Sequence, residues 1–433
     1  MAKRSAEREP AGAPAPAGRA AEAASAVFLA AAVLASWTAV DPASIDSYDA
    51  PKVVLAATAI ALAAAVALGA RVFRSGFEPP RVSLPAVLLL AGVAGAAISS
   101  ISSPRRGASL AALRLVLIFL LALPLGASEG YRRHRRRIVA LFGAAAAVNG
   151  ALVVLAAARI WSPFAVYGYS NRAGLGALVG NAGYAGIALA LAAVTLLPFA
   201  LRPGRGRPLA IAGFVLCAAG LVATQSLSAV AVAVSGTAIY AALAGRRRTR
   251  TAIAAAAAAV LAAALLYPPM RTRLAGFSRA ARKGEWNQAL TARAAPWLAA
   301  AEMIRAHPAA GVGIGNFGAE YVPARIAAEA RHRRRLVLPA MPTNSFAQAH
   351  NDYLDLLAGA GIPAGLCVIV ASGALLAGLV RRGARDPDAA AAAALLGGGA
   401  VAAFAWFPFQ IVPTALWLLL EAGRAERALR EGA

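Results

Sequence analysis

The sequence predicts an all-α polytopic integral membrane protein, with about twelve transmembrane helices and one large periplasmic loop domain between the ninth and tenth spans. Three observations carry this reading. The 433 residues are 60% hydrophobic and only 14% charged, with a mean hydropathy of +0.64. Too little polar material is left to clothe a soluble domain of that length. Apolar runs of about 18 residues or more recur from end to end. Finally, basic residues gather in every second connection between those runs.

In chain order, residues 1–20 (MAKRSAEREPAGAPAPAGRA) are rich in Ala, Pro and charge and read as a disordered cytoplasmic tail, not a cleavable signal peptide. Residues 21–267 read as a transmembrane region of about nine spans. Its apolar runs lie near 21–40, 51–70, 82–101, 108–127, 138–158, 174–200, 208–223, 227–244 and 251–267. Residues 268–350 form the large loop. Residues 351–423 hold about three more spans, near 351–380, 388–408 and 411–423, before a cytoplasmic tail at 424–433. Many runs are alanine-rich, which lets helices pack closely through small side chains. The segment Thr224–Ser228 (TQSLS) interrupts a long apolar stretch, as a short re-entrant turn or as the link between two tightly connected helices. Cys217 and Cys367 each sit inside an apolar run and read as small core residues, not a disulfide.

Orientation follows from the loops. The tail holds Lys3, Arg4, Arg8 and Arg19, and Asp41, Asp46 and Asp49 follow the first span. Strongly basic connections such as YRRHRRR at 131–137 and RRRTR at 246–250 alternate with poorer ones. Lys and Arg are retained on the cytoplasmic side of short loops, so both termini are expected in the cytoplasm and the 268–350 loop in the periplasm. That loop is itself rich in arginine, including Arg271, Arg273, Arg293, Arg305, Arg325 and the run 333–335. Long loops translocate largely regardless of charge, so the topology stands, and the excess reads as a surface that holds an anion near the membrane. The formal charge of +24 is thus an attribute of membrane loops. Anionic lipid headgroups and lipid-linked phosphates are the expected partners, and nucleic acid is not.

Within the loop, TARAAPWLAAAEMIRAHPAAGVGIGNFGAEYVP (291–323) reads as an amphipathic helix ended by His307-Pro308, then a glycine-rich turn. Without a preceding strand and a Lys-Ser/Thr pair, GVGIG reads as turn chemistry, not a phosphate loop. At the head of the tenth span stands HNDYLDLL, with His350, Asn351, Asp352 and Asp355. A neutral imidazole accepts a proton near pH 7. With only four histidines in the chain, His350 is the best candidate base, since His134 lies in a basic loop, His332 beside arginines and His307 at a turn. Asn351, Asp352 and Asp355 are expected to orient the helix start. Three such groups on one helical turn make no convincing ligand set, so no metal or other cofactor is expected.

These segments together carry a resemblance. Arg293-x-x-x-Trp297, then His307-Pro308-x-x-Gly311-x-Gly313 with Asn316, Phe317 and Tyr321, then His350-Asn351-x-Tyr353-Leu354 with Gly361 resemble the O-antigen ligase/polymerase superfamily. The likeness covers residues 165–380; the first five spans match only in being hydrophobic. It implies an inverting glycosyltransferase of the bacterial inner membrane, whose active site faces the periplasm. Such enzymes move a glycan from undecaprenyl diphosphate to lipid A-core (ligases) or to another lipid-linked glycan (polymerases). The same resemblance implies that His350 activates the acceptor hydroxyl and that arginines hold the diphosphate, Arg293 at the matching position and Arg172 as a second candidate. Guanidinium groups suit that task through fixed bidentate contacts to phosphate oxygens. Two departures stand out: Leu227 occupies the place of an arginine in the superfamily's T-x-S-R segment, and Gly183 stands where asparagine is common. Either another loop cation, Arg172 first, takes the place of that arginine, or activity is altered or lost, which keeps a non-catalytic scaffold among the readings. A transporter of lipid-linked sugars would call for ionisable residues inside the spans or an inverted repeat.

Overall fold

The computed structural model describes residues 16–75, 82–162, 173–244, 247–337 and 345–432. Every element in them is helical. In chain order these are α1 (Pro16–Thr38), α2 (Asp49–Ser75), α3 (Leu84–Ser102), α4 (Arg106–Leu120), α5 (Ala122–Gly126), α6 (Glu129–Ala157), α7 (Ala182–Leu201), α8 (Arg207–Ala223) and α9 (Leu227–Leu243). They continue as α10 (Arg247–Leu266), α11 (Pro268–Arg282), α12 (Trp286–Ala289), α13 (Ala294–Ala306), α14 (Phe317–His332), α15 (Asp352–Ala360), α16 (Ile362–Gly383), α17 (Pro387–Ala405) and α18 (Val412–Glu431). A short 3₁₀ segment, Ala173–Val179, precedes α7. Nine helices among the described residues are long and apolar enough to cross a membrane, and α8 and α9 are shorter apolar helices. The chain is an all-α polytopic membrane protein.

The elements differ from the expected boundaries in several places: α18 runs on to Glu431 through the expected tail at 424–433, and the run 174–200 opens as a 3₁₀ segment before α7. α1 begins at Pro16, inside the stretch read as a tail, and residues 1–15 lie outside the described ones. The run 108–127 is divided between α4 and α5 at Leu121. The run 351–380 breaks at Gly361, whose φ of +82° suits glycine and not an L side chain. A Cβ there would also meet the backbone of Ala309, so the loop domain itself enforces the break.

Local chemistry sets many helix starts. The side chains of Ser83, Ser128, Asn181, Ser226, Asn351 and Asp386 each accept a hydrogen bond from a first-turn amide of α3, α6, α7, α9, α15 and α17. α7 is apolar all round and is the centre of the bundle: 83% of its apolar window is buried, against 11% for α10. It packs among α6, α8, α9 and α17. Glycines permit close helix approach; a Cβ at Gly423 would run into the Leu123 carbonyl. Phe142 stacks on Trp417 with centroids 4.0 Å apart and meets Trp37 edge-on at 5.6 Å, while Trp417 Nε1 donates to Thr195 Oγ1 at 3.0 Å.

The connections sort to two ends. At one, Arg133 pairs with Glu22, Arg202 with Asp388, and Arg427 with Glu129, so the start of α1 and the last turns of α18 share an end. At the other end lies the loop domain of α11–α14. Its core, built from Ala299, Ala300, Met303, Phe317 and Tyr321, continues into Val312, Ala349 and Ala358. The glycine-rich turn docks on the end of α15: Val312 N donates to Ala358 O, Gly313 N to Gly359 O, and Ile362 N to Pro308 O. The final carbonyls of α15, which no helical amide can reach, are thereby satisfied. Ser99 Oγ also donates to Gly359 O, and Ser103 Oγ to Val312 O, tying α3 into the same joint.

Candidate functional site

His350 sits between the loop domain and α15, in a backbone conformation that few non-glycine residues adopt (φ +54°). Its neighbours hold it there. Ala349 N donates to Asp355 Oδ1 at 2.9 Å, Leu354 N to Asn351 Oδ1 at 3.0 Å, and Trp297 Nε1 to the His350 carbonyl at 3.4 Å. Three rings surround the imidazole edge-on: Phe407 at 4.9 Å, and Phe346 and Trp406 at 5.5 Å. Nδ1 is fully enclosed and has no hydrogen-bond partner among the described residues. Burial, reinforced by the charge of Arg293, pushes the His350 pKa down to about 3, so the ring is neutral at pH 7.

Arg293 caps α13 and follows two consecutive left-handed residues, Thr291 (φ +54°) and Ala292 (φ +64°). Such strain persists only where surroundings over-determine it. Here buried Asn287 does so: its carbonyl accepts from Ala292 N at 2.6 Å, its Oδ1 from Ala295 N, and its Nδ2 donates to Leu336 O. The guanidinium carbon lies 4.5 Å from the centroid of Trp406. Burial, with the charge of Arg273 adding to it, lowers the Arg293 pKa to about 10, which leaves it cationic at neutral pH. Trp406 is therefore the common neighbour of His350 and Arg293, two residues 57 positions apart in the chain. Its own Nε1 donates to Ser228 Oγ at 2.5 Å, which brings the Thr224–Ser228 segment beneath the site.

That segment is a tight link between α8 and α9, with Gln225 at φ +58°. Leu227, at the first position of α9, packs against the main hydrophobic core. Gly183 lies against Trp406; a Cβ at that position would strike the indole ring. Arg172 lies outside the described residues.

Asp352 and Asp355 turn towards the link between α17 and α18. Gln410 Nε2 donates to both, to Asp352 Oδ1 and Asp355 Oδ2 at 3.1 Å each, and Phe409 N donates to Asp352 Oδ2 at 3.1 Å. Burial outweighs these hydrogen bonds and raises the Asp352 carboxyl to about 7 and that of Asp355 to about 6. The pair thus fastens the turn bearing Trp406 and Phe407 to the helix that follows His350. Trp406 and Gln410 were not among the expected site residues. Their one sequence signal is the aromatic cluster FAWFPFQ at 404–410, crowded into a short connection.

The motif residues of the loop build its frame. Trp297 reaches the His350 carbonyl and packs edge-on against Phe404. His307 ends α13 and its carbonyl accepts from Gly311 N, with Pro308 next in the turn. Gly311 (φ +68°) and Gly313 (φ +97°) make the bend, and Asn316 Nδ2 donates to Ser103 Oγ and Val312 O. Phe317 and Tyr321 are buried, and Tyr321 meets Phe346, which in turn touches His350. Among the described residues, no three His, Cys, Asp or Glu are grouped so as to hold a metal ion.

The loop arginines separate by environment. Arg305 and Arg331 share Glu302, Arg325 pairs with Glu329, and Arg105 from the α3–α4 link takes Glu320. Arg271, Arg279, Arg282 and residues 333–335 are exposed to solvent. Arg273 and Arg293 are neither exposed nor engaged in an ion pair among the described residues.

No curated protein matches the chain. Residues 212–369 match the model of a family described as O-Antigen ligase. The matched segment runs from α8 into α16 and contains the Thr224–Ser228 link, the whole loop domain, Arg293 and His350, while Trp406 and Gln410 lie beyond its end. Over those residues the chain is similar to the O-antigen ligase family.

Proposed function

We propose that this protein is an inverting glycosyltransferase that moves a glycan from undecaprenyl diphosphate to an acceptor hydroxyl, as on lipid A-core. The observation that carries the reading is the convergence of Arg293 and His350 on Trp406, at the end of the bundle where the loop domain sits. With the basic loops retained in the cytoplasm, that end faces the periplasm of a bacterial inner membrane, and both termini are cytoplasmic.

The chemistry needs one group to hold a leaving diphosphate and one to take a proton. The acceptor oxygen bonds to the anomeric carbon as the bond from that carbon to the diphosphate oxygen breaks. Arg293 holds the departing anion in a partly desolvated setting, where its charge acts strongly. The hydroxyl proton passes to the imidazole of His350. Before donor binds, Arg293 helps keep that imidazole a poor base. An anion on Arg293 offsets its charge and makes His350 more basic, so donor binding prepares the base. Asn351, Asp352 and Asp355 act by orientation, and Arg172 is a further candidate for the diphosphate. No cofactor is required.

The test uses purified full-length protein, undecaprenyl-diphosphate glycan, and lipid A-core either present or omitted. Glycan transferred to lipid A-core, and lost in His350→Ala, is the expected result. A ladder growing on undecaprenyl diphosphate alone would identify a polymerase. Absence of transfer with both acceptors, from folded protein, would overturn the enzymatic reading.

A further inference from the structure

The 20 residues of α10 rise about 30 Å, enough to cross the hydrocarbon layer. Only 11% of its apolar window is buried, so most of its surface, Leu261, Leu265 and Leu266 included, is left for lipid. With Arg247, Arg248 and Arg250 at its start, Leu266 stands at the opposite membrane surface. There the helix stops. Tyr267 takes extended backbone (ψ 114°), and Pro268 and Pro269 open α11. Met270, in the first turn of α11, is buried in the same core as Ala264 of α10, which holds the start of α11 against the bundle at headgroup level.

α11 divides its side chains between two faces. Leu274 and Phe277, three positions apart and so on one face, are exposed, with Ala281 a turn further on. Arg271, Arg279 and Arg282 project from the other side; they too are exposed, as is Lys283, while Arg273 is the half-buried exception. No carboxylate among the described residues pairs with Arg271, Arg279, Arg282 or Lys283. Past the Gly284 turn (φ +71°), the indole of Trp286 is exposed as well. An apolar stripe opposed by arginines, with a Trp close by, has the make-up of a helix that rests in a bilayer interface.

We propose that α11 lies along the membrane surface, with Leu274 and Phe277 entering the acyl boundary and Arg271, Arg279 and Arg282 meeting the phosphates of anionic lipids. Two observations make lipid the occupant of this face. Its apolar surface continues that of α10, through Leu265, Leu266 and the exposed Pro268. Its unpaired positive charge complements anionic headgroups. The loop domain is then moored to the bilayer along α11 as well as through α10. This inference is independent of the reaction proposed above.

The experiment places one environment-sensitive fluorophore at a time on full-length protein in nanodiscs. The native cysteines are removed as Cys217→Ala and Cys367→Ala, and the label is carried by Leu274→Cys, Phe277→Cys, Arg279→Cys or Arg282→Cys. Labels at 274 and 277 should be quenched by nitroxides on lipid acyl chains and little by aqueous acrylamide, and labels at 279 and 282 the other way round. Acrylamide quenching at 274 and 277 equal to that at 279 would overturn the proposal, by showing the stripe in water. Shielding of 274 and 277 from both quenchers would overturn it too, by showing the stripe covered by protein, such as a second copy of the chain. The headgroup contact is tested by native mass spectrometry from nanodiscs of mixed phosphatidylcholine and phosphatidylglycerol. Wild type should retain more phosphatidylglycerol than the combined Arg271→Gln, Arg279→Gln and Arg282→Gln variant; equal retention would refute the anionic-lipid contact.

Discussion

Two clusters of charge lie at opposite ends of the helix bundle and differ in how their central charges are paired. At the end where the start of α1 and the last turns of α18 lie, Glu421 is buried and accepts from Tyr131 Oη at 2.7 Å, from Arg135 at 2.9 and 3.0 Å, and from Arg424 at 2.8 Å. Both carboxylate oxygens are used, and α6 is joined to α18. At the loop end, His350 Nδ1 and Arg273 Nε are enclosed without partners among the described residues, and Arg293 lies over a ring. Strain is concentrated there as well, at Gln225, Thr291, Ala292 and His350. A buried carboxylate shared by two arginines and a tyrosine holds helices together. Enclosed, unpaired groups kept in place by their surroundings are what the proposed site calls for.

The contrast yields graded predictions. The largest effect is expected from His350→Ala, which should reduce transfer roughly 100- to 10,000-fold and leave the melting temperature in detergent within a few degrees of wild type. A matching collapse in melting temperature would recast His350 as a packing residue. Glu421→Ala should do the reverse. Stranding Arg135 and Arg424 costs on the order of 3–5 kcal/mol of stability, read as a large fall in melting temperature, while the surviving folded fraction keeps its turnover.

A smaller effect sharpens the comparison through pH. The carboxyls of Asp352 and Asp355 are raised by burial to about 7 and about 6, so the folded protein holds protons that the unfolded chain has released. Their contribution to stability therefore grows as pH falls from 8 to 6 and is lost as pH rises again, by about 1 kcal/mol for a group near 7. His350, with its pKa depressed, opposes this only below its unfolded value near 6.5. Thermal melts from pH 8 to 6 should show the gain in wild type and a flatter response in Asp352→Asn; identical slopes would remove Asp352 as the source. The smallest effect belongs to Arg305→Ala. Its partner Glu302 keeps Arg331, the pair is exposed on the Arg305 side, and such pairs contribute about 1 kcal/mol or less. Transfer should be unchanged, in contrast with the loss expected on removing Arg293.

Much of this was legible in the chain. Hydropathy marks the spans because lipid demands long apolar helices. The Ser, Asn and Asp residues at their starts mark caps because their side chains replace absent amide partners. Arg293 and His350 were legible as a motif. What was hidden depends on contacts across the fold. Nothing local in FAWFPFQ says that Trp406 reaches both motif residues, or that Gln410 bridges Asp352 and Asp355. The break at Gly361 had a signal in Gly-Ile-Pro, yet continuous hydropathy covered it; the turn docked from the loop domain decides that break.

That docked turn bears on protein engineering. Because amides of Val312 and Gly313 close the final carbonyls of α15, and Ile362 reaches back to Pro308, the loop domain and the head of α16 form one indivisible module. A chimera cut at 268–350 would separate those partners and leave an uncapped helix end at the membrane. A transplant that takes residues 268–362 together, with serines kept at positions 99 and 103 of the recipient, carries the joint intact.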